Sequence, residues 1–271
     1  SVLKLDAIGP LAPAAVWAIL ILAYCFVASL IPVWILLQPR GYLGGFVLYM
    51  ALAIGVIGLF FGGFPIQQDA FRGFDLRDTA GAGGLLFPFL FVTIACGACS
   101  GFHGLVCSGT TSKQIAAESH CKPIGFGAML LEGFVAVIAL GTIMIATGAE
   151  VKGLGAGAVY GNGLGKFLTV IIGDDPARLA FAITFGAMAF STFVFDTLDV
   201  STRLGRYILQ EVFDWRGRAA DIAATALTCG LPLLFVLLAG PGAYRSFWAL
   251  FGTSNQLLAA LSLMGISVWL K

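Results

Sequence analysis

The sequence contains few charged residues. Asp, Glu, Lys and Arg make up 11% of its 271 residues, and the formal net charge is +1. No run of Lys and Arg is interleaved with aromatic side chains, which argues against a nucleic-acid-binding surface. We therefore expect no nucleic-acid partner. A chain with so little charge also lacks the polar surface of a soluble globular domain.

Histidine and cysteine are scarce as well, with 2 and 6 residues. Nearly all of the cysteines lie in apolar stretches, so we interpret them as small buried side chains rather than as disulfide partners. The first ten residues have neither a basic region nor a small-residue cleavage signal, so they do not predict a secretory leader. We expect no enzymatic activity and no resident cofactor or metal.

Apolar residues dominate the rest of the sequence, at 59%. A helix needs about twenty consecutive apolar residues to cross a bilayer. About seven windows meet that length: 13–37, 43–62, 85–107, 124–146, 177–198, 219–239 and 247–270. The pattern predicts an all-α polytopic transmembrane bundle that forms a single transport domain over residues 1–271.

Three segments between these windows are less apolar. Residues 63–84 and 149–176 are rich in glycine and charge and are predicted to be extramembrane loops with, at most, short interfacial helices. Residues 203–218 have the spacing of an amphipathic helix at the membrane surface, and we place it on the cytoplasmic side. The counts of Lys and Arg on the two sides leave the overall orientation open.

The third window combines glycines with polar groups. Such a density favours either a locally broken helix that lines a cavity or a helix packed tightly on its neighbours, with hydroxyls bonded to its own backbone. In a broken helix, exposed N–H groups would attract a carboxylate. The residues predicted to bind substrate here are Ser100, Gly101, His103, Ser108, Thr110 and Thr111. Asn255, in a polar block of the seventh window, is added to that site, with interhelical hydrogen bonding as its alternative.

Ionisable groups inside apolar windows need a reason, because each costs roughly 2.5 to 3.5 kcal/mol at the bilayer centre. Glu132 stands in the fourth window, and Asp199 follows the fifth with Asp196 one turn before it. His103 and Glu132 are predicted to carry coupling protons, and Asp199 to assist in a cation site. The structural alternatives are an interhelical hydrogen bond for Glu132 and a hydrated helix end for the aspartates.

Soft ligands repeat along the third window, at Cys96, Cys99, His103 and Cys107. On one straight helix they would spread over about 16 Å, too far for all four to bind one ion. The rival hypothesis is still a membrane subunit that binds a metal or a redox cofactor through these side chains and does not transport. A third hypothesis is a sensor that binds substrate without moving it.

Several blocks of the sequence resemble the carbon starvation protein A family, and together they span nearly the whole chain. The blocks lie at 24–29, 32–34, 38–40, 87–91, 95–98, 100–103, 108–113, 125–132, 197–207 and 251–259. Departures from the family pattern are Gly41, Ser112, Cys107 and Asp196.

The resemblance implies a prokaryotic cytoplasmic-membrane transporter with inverted repeats, associated with the uptake of peptides or pyruvate. Members are usually longer at the N-terminus, so we expect this chain to be partial. We therefore predict a secondary active transporter for a small carboxylate or peptide, coupled to H⁺ or Na⁺. Its predicted partners are the bilayer, the substrate and the coupling cation, and a homo-oligomer is left open.

Overall fold

The computed structural model describes residues 13–71, 73–75, 85–90, 93–94, 96–99, 101–109, 111–239 and 247–271. Helices account for most of these residues. The α-helices are Pro13–Leu30 (α1), Leu37–Phe61 (α2), Leu86–Leu90 (α3), Cys96–Cys99 (α4), Gly101–Gly109 (α5), Cys121–Met144 (α6), Gly148–Val151 (α7), Ala156–Ile172 (α8), Pro176–Val212 (α9), Arg218–Ala239 (α10) and Trp248–Trp269 (α11). Short 3₁₀ turns occupy Thr111–Lys113 and Glu118–His120.

Within the described ranges, four segments are long and apolar enough to cross a bilayer. They are Leu37–Phe61, Glu118–Met144, Pro176–Val212 and Arg218–Ala239, and Ala15–Leu30 and Ala156–Ile172 are shorter apolar helices. Large apolar side chains on these helices point outward, as at Phe60, Leu140 and Leu238, which are 68%, 59% and 77% exposed. Such an apolar surface is stable in contact with lipid and unfavourable in contact with water. The prediction of an all-α polytopic membrane protein is confirmed.

The first two predicted spans have different bounds in the structure. Helix α1 ends at Leu30, shortly before Pro32, and α2 already begins at Leu37. Proline cannot donate a backbone hydrogen bond and disfavours helical geometry in the residue before it, which explains the early end of α1.

The third predicted span contains α3, α4 and α5, and residues 91–92, 95 and 100 between them lie outside the described ranges. Helix α5 continues through Gly104.

Residues 149–176, predicted as a loop, contain the 17-residue helix α8, in which Leu164 and Phe167 are fully buried. Its glycines are the reason for the difference. A Cβ at Gly161 would lie 3.0 Å from the backbone nitrogen of Ala187, and one at Gly165 would lie 2.8 Å from the Ile183 side chain. The glycines therefore serve close helix packing and not flexibility.

Residues 203–212 of the predicted surface helix 203–218 are the C-terminal part of α9, which continues without interruption to Val212. Arg203 and Arg206 on this part are buried, at 5% and 7% exposure, whereas a surface helix would keep them in water. The chain turns only afterwards, where Asp214 and Gly217 adopt positive φ angles of 48° and 93°. Glycine adopts this conformation without steric cost. An interfacial location for this segment stays a prediction.

The chain divides into two compact units. The first unit comprises Ser1–Leu36, Gly73–Gln114 and Leu198–Lys271, and the second comprises Leu37–Arg72 and Ile115–Thr197. In the first unit, α1 packs on α10, and α11 packs on α4 and α5. In the second, α2, α6 and α8 pack on one another around an apolar core. The single transport domain stays a prediction.

Candidate functional site

Buried polar side chains are concentrated in the first unit. A buried polar group in a membrane protein must find a partner within the protein, so such a group marks either a structural contact or a functional site. The buried polar residues of this unit are Ser29, Asp199, Thr202, Arg203, Arg206, Thr225 and Asn255.

Asp199 lies on α9 and is 4% exposed. The hydroxyl of Tyr24 on α1 donates a hydrogen bond to its Oδ2 over 3.3 Å. The thiol of Cys25, which is fully buried, lies beside the same carboxylate and near Thr202 and Cys229. Asp199 is therefore enclosed by α1, α9 and α10 and does not lie at a hydrated helix end.

Arg203, one turn after Asp199, secures the contact between α9 and α1. Its Nη2 donates to the carbonyl oxygens of Ala28 and Ile31 over 2.7 and 2.8 Å. The last carbonyls of a helix have no partner within the helix and carry the negative end of its dipole, so a guanidinium is well suited to them. This contact fixes the part of α9 that carries Asp199.

The segment at the end of α5 also lies against α9. A Cβ at Gly109 would contact Leu204 at 3.1 Å. The ammonium of Lys113 lies 5.4 Å from the ring centre of Tyr207, and the guanidinium of Arg206 lies 4.8 Å from the same centre. Two of the sequence blocks, 108–113 and 197–207, thus meet in one unit.

Asn255 and Gly101, which the sequence analysis assigned to one site, are in contact. The backbone N–H of Phe102, in the first turn of α5, donates to Oδ1 of Asn255 on α11 over 2.7 Å. A Cβ at Gly101 would lie 2.3 Å from the main-chain oxygen of Asn255, so a larger side chain does not fit in this arrangement. Asn255 thus joins α11 to the first residues of α5 that the structure describes. We name this contact the α5–α11 junction.

The other predicted site residues of the first unit differ in how exposed they are. His103 and Ser108 are exposed on α5, and Thr111 is partly buried in the 3₁₀ turn that follows. The Ser108 hydroxyl donates to the carbonyl of Leu105, which is the bond that the packed-helix alternative predicts. Ser100 and Thr110 lie outside the described residues.

Glu132 belongs to the second unit, where it is exposed on α6. Its coupling role therefore stays a prediction.

The metal ligands of the rival hypothesis, Cys96, Cys99, His103 and Cys107, are not tested as a set. Among the side chains that the structure describes, no three from His, Cys, Asp and Glu come together closely enough to hold an ion. The side chains of Cys96 and Cys99 lie outside that part of the chain, and His103 and Cys107 are exposed. The metal-binding alternative stays a prediction.

Sequence reasoning missed an ion pair in the second unit. Nε and Nη2 of Arg40, at the start of α2, donate to Oδ1 of Asp196 on α9 over 3.0 and 2.7 Å. A Cβ at Gly44 would lie 3.0 Å from the other oxygen of Asp196 and 3.4 Å from Thr192, so glycine leaves room for the pair. The signal in the sequence for this ion pair was the block at 38–40, which places an arginine next to an apolar window.

Comparisons with known proteins show what the chain is similar to. A family model described as carbon starvation protein CstA matches residues 11–152 and 142–271. A peptide transporter CstA of Helicobacter pylori is 30% identical over 92% of this chain and 44% of its own length. A peptide transporter CstA of Bacillus subtilis is 33% identical over 94% of this chain and 49% of its own.

A third relative is named for a different substrate. The pyruvate/proton symporter BtsT of Escherichia coli is 32% identical over 93% of this chain and 46% of its own length. The chain therefore spans less than half the length of these relatives. No solved structure matches it.

Proposed function

The chain belongs to the carbon starvation protein CstA family, and on that premise we propose that it is part of a secondary active transporter. The cargo is a small carboxylate or a short peptide, as the names of the relatives suggest. Transport runs into the cell across the cytoplasmic membrane of a prokaryote and is driven by a proton gradient. The protein catalyses no covalent reaction in this proposal.

The observation that carries the proposal is the burial of Asp199 against Tyr24. A carboxylate among packed helices is costly unless it is hydrogen-bonded or protonated. A tyrosine hydroxyl can donate to the charged form and accept from the protonated form, so it can accompany both states. Asp199 is thus a group that can load and release a coupling proton. His103 and Glu132 are proposed as further members of the proton path.

The substrate is proposed to bind at the α5–α11 junction. The helix break predicted before Gly101 would expose backbone N–H groups there, and the dipole of a helix favours an anion at that end. Pyruvate and peptides both carry a carboxylate that suits such donors. The proposed contacts remain Ser100, Gly101, His103, Ser108, Thr110, Thr111 and Asn255, with Asn255 supported by its position beside Gly101.

Uptake into proteoliposomes tests this function. Vesicles containing the purified protein would receive labelled pyruvate or labelled dialanine under an inward pH gradient, an inward Na⁺ gradient or no gradient. We expect the pH gradient to drive accumulation of at least one of the two substrates, and a protonophore to abolish it. Uptake no faster than in empty vesicles would refute transport of both substrates, and accumulation with Na⁺ alone would refute proton coupling.

A further inference from the structure

A cavity of about 270 Å³ lies in the second unit, where α6 ends and where α7, α8 and the first turns of α9 meet. Much of its wall is apolar, with Val159, Leu179 and Ile183 among the lining residues. Glu150 and Lys166 also line it and form an ion pair. The cavity therefore combines one positive charge, one negative charge and an apolar surface.

The two charged groups differ in how firmly they are held. Lys166 Nζ lies 2.7 Å from Oε1 of Glu150. The other carboxylate oxygen, Oε2, accepts hydrogen bonds from the backbone N–H and the hydroxyl of Thr147 over 2.8 and 3.0 Å. This capping box fixes Glu150 at the first turn of α7. Lys166 has a flexible four-carbon stem and can move away without breaking that cap.

The Glu150 carboxylate is charged near neutral pH, and both side chains of the pair are partly exposed. The hydrogen bond from Lys166, and then that from Thr147, hold the pKa of the Glu150 carboxyl at about 2, well below its usual value. The side chains of Lys166 and Glu150 are 34% and 47% exposed. Glu150 also lies beyond Met144, where the apolar span of α6 ends. A ligand can therefore reach the pair from outside the protein.

We propose that this cavity binds a free α-amino acid with an apolar side chain. Its ammonium group replaces Lys166 at Glu150, its carboxylate binds the displaced Lys166, and its side chain enters the space among Val159, Leu179 and Ile183. An exposed ion pair contributes little stability, so opening it costs little. The ligand restores both charge interactions and adds the burial of its side chain.

The positive and negative charges of the cavity together favour a free α-amino acid over other small ligands. A monocarboxylate would bind Lys166 and leave Glu150 without its cation, and an amine would do the reverse. An amino acid carries both groups on one carbon, so a small movement of Lys166 is enough to admit it. The inference does not depend on the proposed transport function, because it concerns binding in the second unit alone.

Direct binding to the purified protein in lipid nanodiscs tests the inference, with L-leucine, N-acetyl-leucine and leucinamide as the calorimetric probes. We expect saturable binding of leucine and, for each blocked analogue, an affinity at least about tenfold weaker, because each loses one charge-assisted hydrogen bond. Equal affinity for leucine and either analogue, or no saturable binding of leucine, would overturn it. Tighter binding of leucyl-leucine than of leucine would overturn the assignment to free amino acids.

Substitutions locate the site within the chain. Lys166→Gln and Glu150→Gln should each weaken leucine binding about tenfold. Lys152→Gln and Asp174→Asn alter exposed charges that do not line the cavity and should leave the affinity unchanged. Unchanged binding in Lys166→Gln would place the leucine elsewhere. Intact gradient-driven uptake in a protein that fails to bind leucine would refute this inference alone.

Discussion

Replacement of Gly101 by alanine should separate α5 from α11. The new Cβ would lie 2.3 Å from the main-chain oxygen of Asn255 and 2.7 Å from its Oδ1, which is about 1 Å closer than ordinary van der Waals contact. The main-chain atom cannot rotate away, so the two helices must move apart. That movement lengthens the 2.7 Å hydrogen bond from the Phe102 N–H to Asn255.

The expected loss in the free energy of unfolding of Gly101→Ala is the sum of three contributions. Overpacking at a close contact costs roughly 1 to 3 kcal/mol. Weakening of the Phe102 hydrogen bond adds about 1 kcal/mol. Alanine in place of glycine stabilises a helix interior by up to about 1 kcal/mol, and by less at a first turn. The net loss for Gly101→Ala should therefore be about 2 kcal/mol.

Gly104→Ala is the matched control on the same helix. Among the residues that the structure describes, a Cβ there would meet only the Ser262 hydroxyl oxygen, at an ordinary 3.8 Å. This variant should be as stable as the parent or more stable by up to about 1 kcal/mol. The free energy of unfolding in mixed micelles, measured by denaturant titration, distinguishes the two. Equal stabilities for Gly101→Ala and Gly104→Ala would refute the close approach of α5 and α11.

Three further changes test other contacts. Gly163→Ala places a Cβ 2.3 Å from that of Thr142 and should lower the free energy of unfolding by about 2 kcal/mol. Gly127→Ala should not lower it, because no atom of the described residues lies within 4 Å of the new Cβ. Arg203→Gln weakens the cap on α1 and should cost roughly 1.5 to 3 kcal/mol, against no more than about 0.5 kcal/mol for the exposed Arg216→Gln, measured in the same titration. Because folding lowers the pKa of Glu150 from 4.5 to about 2, its ionic contribution is complete above pH 4.5 and is lost as the pH falls towards 2. The stability difference between the parent and Glu150→Gln should therefore shrink over that range, and a difference that does not change with pH would contradict the ionic account.

The sequence was sufficient for the membrane class and for most of the long helices, because a run of apolar residues has few other uses. It was misleading for α8. Gly157, Gly161 and Gly165 are spaced four residues apart, and composition alone does not distinguish that spacing from a flexible loop. The helical spacing of the apolar residues Leu164, Phe167 and Leu168, which are all buried, was the missed signal.

The candidate site shows more clearly what local sequence does not predict. Local sequence singled out Asp199, Gly101 and Asn255 as unusual, but their partners are far away along the chain. Tyr24 is 175 positions from Asp199, and Phe102 is 153 from Asn255. Such pairings arise from the packing of whole helices, which hydropathy does not specify. The extension of α9 past Asp199 was missed for the same reason, since Arg203 is bonded to α1 and Arg206 lies 3.8 Å from Asp221 on α10.

Proton-driven uptake by Asp199→Asn tests the central claim most directly. Asparagine keeps the size of the side chain and can still accept from Tyr24, but it cannot carry a proton. The account predicts that this variant loses accumulation driven by a pH gradient while it retains exchange of labelled for unlabelled substrate at equilibrium, and that the exposed Asp214→Asn retains both. Accumulation by Asp199→Asn at the parental rate would contradict the account.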